Sequence, residues 1–195
     1  MKYAKEFEKL FNSTKFPVFT IEDVMLAFKS SGMSYKYLRL MLYKYSKSGR
    51  IRRISSGVYT FHNHAIVVGF AFRPFYYGLE SALGILGFSN QGVNNVVITT
   101  RKVRTGIRTF DGRNYRIARI KNRYFFGYKL MQYGNFWVPV SDIEKTLIDM
   151  VYFKIGIRDE LMKDAFSKLD IRKLNRYLKV YNGGFRKRVI DLLAP

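Results

Sequence analysis

Apolar residues recur at helical spacing in two segments at the start of the chain. The first predicted helix, residues 1–11, places its large apolar side chains on one face, at Tyr3, Phe7, Leu10 and Phe11. Residues 12–17 interrupt this pattern. Thr20 then precedes a second predicted helix of about ten residues, because Thr-x-x-Asp supplies a capping hydroxyl with an acidic third residue and Gly32 is a natural stop.

A third helical pattern leads directly into strand alternation. Ser34 can cap a helix that ends at Gly49 and has a buried stripe, composed of Leu38, Met41, Leu42 and Tyr45. Residues 51–54 and 58–61 are predicted strands, joined by a turn at 55–57. Three helices followed by a hairpin is the order of a winged helix-turn-helix, in which the third helix enters the major groove of DNA.

Beyond residue 61, aromatic-rich helical and strand patterns are mixed. A helix is predicted at residues 78–86, where Leu79, Leu83 and Leu86 have helical spacing, and three more at about 158–168, 171–181 and 184–193. Strand patterns cover residues 95–103 and 124–126, and a hairpin is predicted over 108–120 with its turn at Asp111 and Gly112.

A further helix in this part is predicted to begin with a capping box. A strand ends near Pro139, and Ser141 is the predicted N-cap with Glu144 as its partner. Its buried face should consist of Ile143, Leu147, Ile148 and Val151. The chain is therefore expected to be an α/β (α+β) protein with a winged helix-turn-helix domain at residues 1–61 and a mixed α/β domain at 62–195.

The charge of the chain indicates the class of its partner. Lysine and arginine number 35 against 14 acidic residues, a formal net charge of +21, and this self-repulsion favours a polyanionic partner. Nucleic acid is preferred over a membrane, since no apolar run approaches the roughly 18 residues that span a bilayer. With no cysteine and no signal-peptide pattern at its start, the chain is expected in the cytoplasm.

The predicted DNA-binding residues lie on the third helix and the hairpin. Helix residues outside the buried stripe should point away from the core, and the hairpin arginines and hydroxyls are suited to hold phosphate. The full set is Ser34, Tyr35, Lys36, Tyr37, Arg39, Tyr43, Lys44, Arg50, Arg52, Arg53, Ser55 and Ser56. For the helix residues, solvation of an ordinary basic face is the competing explanation.

Few residues support a catalytic role. A Mg²⁺-dependent nuclease is suggested by three carboxylates near a lysine, at Asp142, Glu144, Lys145 and Asp149. However, helix capping and the helix dipole account for Glu144 and Asp142. Glu144 and Lys145 are also adjacent on a helix, so their side chains do not converge. His62 and His64 lack the further ligands of a zinc site. Neither a phosphate-binding loop nor a nucleophile elbow is present. We therefore expect no enzymatic activity, no metal and no cofactor.

Four segments, in their order, resemble a known family. The predicted winged helix ends in GVY and is followed by YYGLESALGILGF, VITTRKVR and VPVSDIEKTLIDMVYF. This order resembles the AbiEi family of antitoxins and transcriptional regulators, from type IV toxin–antitoxin and abortive-infection systems. The resemblance implies that the winged helix represses its own operon at inverted repeats in double-stranded DNA. It also implies that residues 62–195 form an antitoxin domain that counteracts a nucleotidyltransferase-like toxin of the AbiEii type.

A second basic segment, residues 101–129, has 10 basic side chains and Asp111 as its single acid. It can contact DNA beside the winged helix, bind the toxin or its RNA substrate, or simply keep the surface soluble. An alternative function is therefore RNA binding or RNA processing through this segment. Its candidate contact residues are Arg101, Lys102, Arg104, Arg113, Arg116 and Arg119. No pattern identifies a dimer seam, so the oligomeric state is left open.

Overall fold

The computed structural model describes residues 2–13, 15–88, 94–156 and 160–193, and the fold has the predicted mixed α/β class. The chain divides into two compact units. The first comprises Met1–Arg73 with Thr109–Arg113, and the second comprises Pro74–Arg108 with Asn114–Pro195. The first unit therefore continues past residue 61, where the sequence predicts the domain boundary.

The first unit has the predicted order of three helices and a hairpin, with one additional short strand. Antiparallel pairing joins the three strands in the order β1 (Phe19–Thr20), β3 (Val58–Thr60) and β2 (Arg52–Ser55). A 3₁₀ helix at Ala65–Phe72 follows, and all of its residues are buried. The helices and strands are α1 (Ala4–Phe11), β1 (Phe19–Thr20), α2 (Ile21–Ala27), α3 (Tyr35–Lys47), β2 (Arg52–Ser55) and β3 (Val58–Thr60).

Local side-chain bonds explain where α2 and α3 begin. Thr20 and Asp23 form the predicted capping box, with the Thr20 Oγ1 accepting from the Asp23 N–H at 3.0 Å and the Asp23 carboxylate accepting from the Thr20 N–H at 2.7 Å. Ser34 caps α3 by accepting from the Tyr37 N–H at 3.2 Å. Helix α2 is shorter than predicted, since it ends at Ala27 and turns lead on to Gly32.

The core of the first unit contains the predicted stripe of α3. Leu38, Met41, Leu42 and Tyr45 are all buried, and they pack with aromatic residues of α1 and β1. On α1 the prediction is wrong for Leu10, which is exposed, because the buried face is filled by Phe7 and Phe11. Tyr3 instead packs on the rings of Phe28 and Tyr37.

Beyond residue 73 the chain forms a mixed six-stranded sheet, with strands β4 (Phe75–Tyr77), β5 (Asn95–Thr99), β6 (Gly106–Phe110), β7 (Arg113–Arg119), β8 (Tyr128–Tyr133) and β9 (Phe136–Ser141). The strand order in the sheet is β6-β7-β5-β4-β9-β8. Parallel pairing joins β4 to β9 and β5 to β7, whereas β4–β5 and β8–β9 are antiparallel. The helices beyond residue 73 are α4 (Leu79–Ile85), α5 (Ile143–Tyr152), α6 (Glu160–Ser167), α7 (Ile171–Leu178) and α8 (Gly183–Asp191).

Most predicted elements beyond residue 73 are confirmed, and the exceptions have local causes. The hairpin β6–β7 turns at Asp111 and Gly112, both with positive φ, as an Asp-Gly turn requires. The strand predicted at residues 124–126 is wrong. A 3₁₀ helix at Asn122–Tyr124 occupies its start, and Gly127 with φ of 72° follows the run.

The predicted capping box at Ser141 is also wrong. Ser141 pairs with Tyr128 as the last residue of β9, so the helix begins one residue later, and Asp142 is the N-cap of α5. The Asp142 carboxylate accepts from the Lys145 N–H at 2.9 Å. Glu144 points elsewhere and accepts from the backbone N–H of Asp170 at 2.9 Å.

The β8–β9 hairpin presents apolar side chains to solvent. Leu130 on β8 is 65% exposed, and Trp137 on β9 is 61% exposed. Across the described parts of the chain, none of the helices has the length and apolar character that crossing a membrane requires.

Candidate nucleic-acid interface

The outer face of α3 carries basic and aromatic side chains that the core leaves free. Tyr35 and Tyr43 are 51% and 62% exposed, and Lys36, Arg39 and Lys44 are exposed with them. The Arg39 guanidinium lies 6.0 Å from the centroid of the Tyr35 ring, so the two side chains form a cation–π pair at the start of the helix.

A groove of about 730 Å³ runs between this face and the β2–β3 hairpin. It brings together two segments that the sequence predicts to act jointly: Tyr35, Arg39 and Tyr43 from α3, and Arg53 and Ser56 from the hairpin. The remaining lining residues include Thr20, Glu22, Ser46, Val58 and Tyr59.

The three arginines in and beside the hairpin differ in the ion pairs that they form within the protein. Arg53 is exposed, and its Nε donates a hydrogen bond to the Ser55 carbonyl at 3.1 Å. Arg50 lies 2.9 Å from Glu8 and over the Tyr45 ring, and Arg52 lies 2.9 Å from Asp111. Of the three, Arg53 is therefore the arginine that lines the groove and that forms no ion pair within the described residues.

Arg50 belongs to a small network that includes a buried tyrosine. The Tyr45 hydroxyl donates to Glu8, and burial together with this bond raises the pKa of Tyr45 to about 12. Glu8 is thus shared between a core residue and Arg50, which gives that arginine a structural partner. Such partly exposed ion pairs are weak, worth about 0–1 kcal/mol, and can exchange.

The other predicted DNA-binding residues lie outside the groove. Tyr37 is half-buried against Tyr3, because α1 packs on that side of α3, so it does not point away from the core as the sequence suggests. Ser34 is occupied as the helix cap, and Ser55 is half-buried in β2. Lys36 and Lys44 face solvent without lining the groove.

Sequence reasoning did not assign four polar residues to this groove: Thr20, Glu22, Ser46 and Tyr59. Ser46 and Tyr59 add a hydroxyl each, and Glu22 adds a carboxylate that opposes an anionic ligand. Glu22 and Tyr59 lie on α2 and β3, outside the predicted helix face and turn, and only the folded arrangement brings them beside Arg39 and Arg53.

The segment that builds this groove also matches a protein family. Residues 7–62 match the family described as transcriptional regulator, AbiEi antitoxin. This segment is therefore similar to AbiEi antitoxins and transcriptional regulators. A search of curated proteins returns no match. The AbiEi match contains every residue that lines the groove.

Beyond the AbiEi match, the candidate residues of the second basic segment do not form one cluster. Arg101, Lys102 and Arg104 are exposed in the connection between β5 and β6. On β7, Arg113 and Arg119 are exposed, whereas Arg116 is half-buried and lines a separate cavity with Ile107 and Tyr115. Residues spaced by three alternate faces on a strand, which explains this separation.

The acidic residues of the segment VSDIEKTLIDMVYF are engaged in structural contacts. Lys145 and Asp149 form a fully buried ion pair, and the Tyr76 hydroxyl donates to Asp149 at 2.7 Å. Asp142 caps α5, and Glu144 bonds to Asp170 and Lys173.

The two histidines also have structural partners. His62 Nε2 lies 3.2 Å from the Ser13 carbonyl oxygen, and His64 Nδ1 accepts from the Ile66 N–H at the start of the 3₁₀ helix. Within the residues that the structure describes, no cluster of three or more metal-ligating side chains occurs.

Proposed function

We propose that the AbiEi-family part of this chain is a winged helix-turn-helix that binds double-stranded DNA. The observation that carries the proposal is the groove in which Arg39 and Tyr43 of α3 face Arg53 and Ser56 of the hairpin. In a winged helix, the N-terminal part of the third helix reads base edges, while the hairpin holds the adjacent backbone. Tyr35 and Arg39 lie in the N-terminal part of α3, and Arg53 and Ser56 lie in the hairpin.

The chemistry of the two sides assigns them different tasks. Arg39 is suited to donate two hydrogen bonds to guanine in the major groove, which distinguishes one base pair from another. Arg53 and the Ser56 hydroxyl are suited to phosphate oxygens, which fix register without reading sequence. The formal charge of +21 supplies the sequence-independent attraction to the duplex.

The regulatory role follows from the family. AbiEi proteins are described as transcriptional regulators and antitoxins. We propose that this chain represses its own operon at inverted repeats, and that residues 62–195 counteract a nucleotidyltransferase-like toxin of the AbiEii type. Support for the second part is the resemblance of LESALGILG and VSDIEKTLIDMVYF to that family.

Binding to the DNA upstream of its own gene tests the regulator proposal. Arg39→Ala should lose about tenfold or more in affinity for the operator and little for unrelated duplexes, since one base contact is worth roughly 1–3 kcal/mol. Arg53→Ala should weaken all duplexes and lower the slope of log K against log salt by about one. Arg52→Ala should have a smaller effect, because Asp111 already neutralises that guanidinium.

Fluorescence anisotropy with labelled duplexes at several salt concentrations measures all three variants. The matched control is Arg172→Ala, which removes an exposed arginine from α7 in the second unit. The proposed DNA-binding groove would be refuted if Arg39→Ala and Arg53→Ala bound the operator with the same affinity as the control. A preference for structured RNA over duplex DNA at equal salt would favour the RNA-binding alternative.

A further inference from the structure

A concave site in the second unit combines positive charge with stacked aromatic rings. It encloses about 280 Å³ and is lined by four basic residues from three well-separated parts of the chain: Lys121, Arg123, Lys154 and Arg188. The volume is slightly below the range for small-molecule pockets, roughly 300–1,000 Å³. A ligand of about the size of a mononucleotide fits this space.

Three stacked rings form the apolar wall of the site. The centroids of Tyr124 and Tyr181 lie 4.3 Å apart with an interplanar angle of 4°, and those of Tyr181 and Phe185 lie 4.6 Å apart at 19°. The Arg123 guanidinium lies 4.6 Å from the Tyr124 centroid, and the Arg188 guanidinium 5.5 Å from the Phe185 centroid. Each arginine is thus held over a ring, in the arrangement on which a nucleobase can stack.

Lys154 reaches the site from a strained backbone position. It follows the end of α5 with φ of 57°, and the Ile155 N–H donates to the Met150 carbonyl at 2.8 Å while the Lys154 N–H donates to the Val151 carbonyl at 3.3 Å. This is a Schellman ending, in which glycine is the usual residue because a side chain disfavours positive φ. A lysine at this position costs backbone free energy, yet it adds an ammonium group to the pocket.

The charges of the pocket are not balanced by carboxylates. Its lining contains no acidic residue, and among the described side chains none of Lys121, Arg123, Lys154 or Arg188 forms an ion pair. Four cations around one concave space raise the local concentration of anions. An anionic ligand in this pocket would therefore meet four exposed cations and no opposing carboxylate.

We propose that this pocket binds a nucleotide through its phosphate, either a free mononucleotide or the phosphorylated end of an RNA strand. The basic side chains hold the phosphate, and the base stacks against an arginine plane supported by the aromatic wall. The proposal concerns the second unit alone and does not depend on DNA binding by the first.

Isothermal titration calorimetry with the full chain tests the site, with four probes: adenosine 5′-monophosphate, adenosine, inorganic phosphate, and a 5′-phosphorylated RNA hexamer. The nucleotide should bind at least tenfold more tightly than adenosine or phosphate. Tighter binding of the hexamer than of the mononucleotide, lost on removal of its 5′-phosphate, identifies an RNA end as the ligand. If the hexamer binds no more tightly than the mononucleotide, the ligand is the free nucleotide.

Lys154→Gly separates binding from folding. It removes the ammonium and relieves the backbone, so the melting temperature by circular dichroism should stay level or rise while nucleotide affinity falls about tenfold. Arg188→Gln should lower affinity similarly. The charge-matched control Lys129→Gln, on exposed β8 outside the pocket, should bind normally.

Three results would overturn the proposal. The first is that neither the mononucleotide nor the 5′-phosphorylated hexamer binds at millimolar concentration. The second is that adenosine or inorganic phosphate binds as tightly as the nucleotide. The third is that Lys129→Gln loses as much nucleotide affinity as Lys154→Gly.

Discussion

Lys145 lies with its whole side chain inside the second unit, where its ammonium meets Asp149 and two aromatic rings. It lies 5.2 Å from the Phe126 centroid and 5.6 Å from that of Tyr76. Burial lowers the pKa of Lys145 and raises that of Asp149, since each charge has left water, and their mutual attraction opposes both shifts. Gly127 permits this packing, because a Cβ there would lie 2.8 Å from the Lys145 Cβ.

Removing one partner of this pair should be far more damaging than removing both. Lys145→Met leaves the Asp149 carboxylate buried without its cation, which we expect to cost about 3–5 kcal/mol in the free energy of unfolding. The double variant Lys145→Met with Asp149→Leu should recover most of that loss. Urea denaturation followed by circular dichroism measures both.

Lys129→Met, on the exposed strand β8, serves as the control and should change stability by no more than about 0.5 kcal/mol. A single variant as stable as this control would show that the buried pair contributes nothing. A double variant no more stable than Lys145→Met would show that the loss does not come from the unpaired charge.

Helices α5 and α7 are joined by a polar link at their N-terminal ends. The Lys173 ammonium lies 2.7 Å from Glu144 and 3.0 Å from Asp142, and the Asp170 N–H donates to Glu144. The Tyr177 hydroxyl donates to Asp142 at 2.9 Å, and burial with this bond raises the pKa of Tyr177 to about 12.

This link should make the second unit sensitive to acid. Burial alone would raise the pKa of Glu144, but the hydrogen bonds from Lys173 and the Asp170 N–H outweigh it and hold the pKa below its usual value. The stabilisation is therefore complete above the unfolded pKa of about 4.3 and is lost as the pH falls through the lower folded value.

Glu144→Gln should lower stability at pH 7 and flatten its decline between about pH 5 and pH 3. The midpoint of urea unfolding, measured at several pH values, tests this prediction. The control variant is Glu22→Gln, which changes an exposed glutamate. A decline in Glu144→Gln as steep as in the unchanged chain would assign the acid sensitivity to other carboxylates.

At the level of elements, the sequence predicts features that depend on neighbouring residues, such as helix caps and buried stripes. It does not predict the pairing register between strands. The Thr20 and Ser34 caps and the stripe on α3 follow from residues within a few positions of one another. The helix start after β9 depended on Ser141 pairing with Tyr128, a contact between strands that no local pattern contains. The 3₁₀ helix at Ala65–Phe72 has no polar face, so it shows no periodicity to detect.

The candidate sites differ in the same way. The groove residues Arg39 and Arg53 follow from adjacent elements, so the sequence predicts them together. The nucleotide pocket draws Lys121, Lys154 and Arg188 from segments far apart, and no spacing rule connects them.

The whole molecule carries its excess charge on both compact units. With 35 basic and 14 acidic side chains, repulsion between like charges opposes compaction throughout the chain. Each unit holds its fold with a separate apolar core, Phe7 and Leu38 lying in one and Tyr76 and Leu147 in the other.

Screening this repulsion should stabilise the protein. We expect the melting temperature by circular dichroism to rise between about 50 and 300 mM sodium chloride, since the Debye length shortens from roughly 14 Å to under 6 Å. A fall over the same range would mean that the few ion pairs, such as Arg50 with Glu8, outweigh the repulsion.

Trp137 is the single tryptophan of the chain, and its indole is largely in solvent on the β8–β9 hairpin. Its emission in the native protein should therefore already resemble that of a solvated indole, and denaturation should shift it little. The same position makes it a built-in optical reporter. A partner that covers this hairpin would shield the ring from a soluble quencher such as iodide, so tryptophan quenching can reveal docking there without any introduced label.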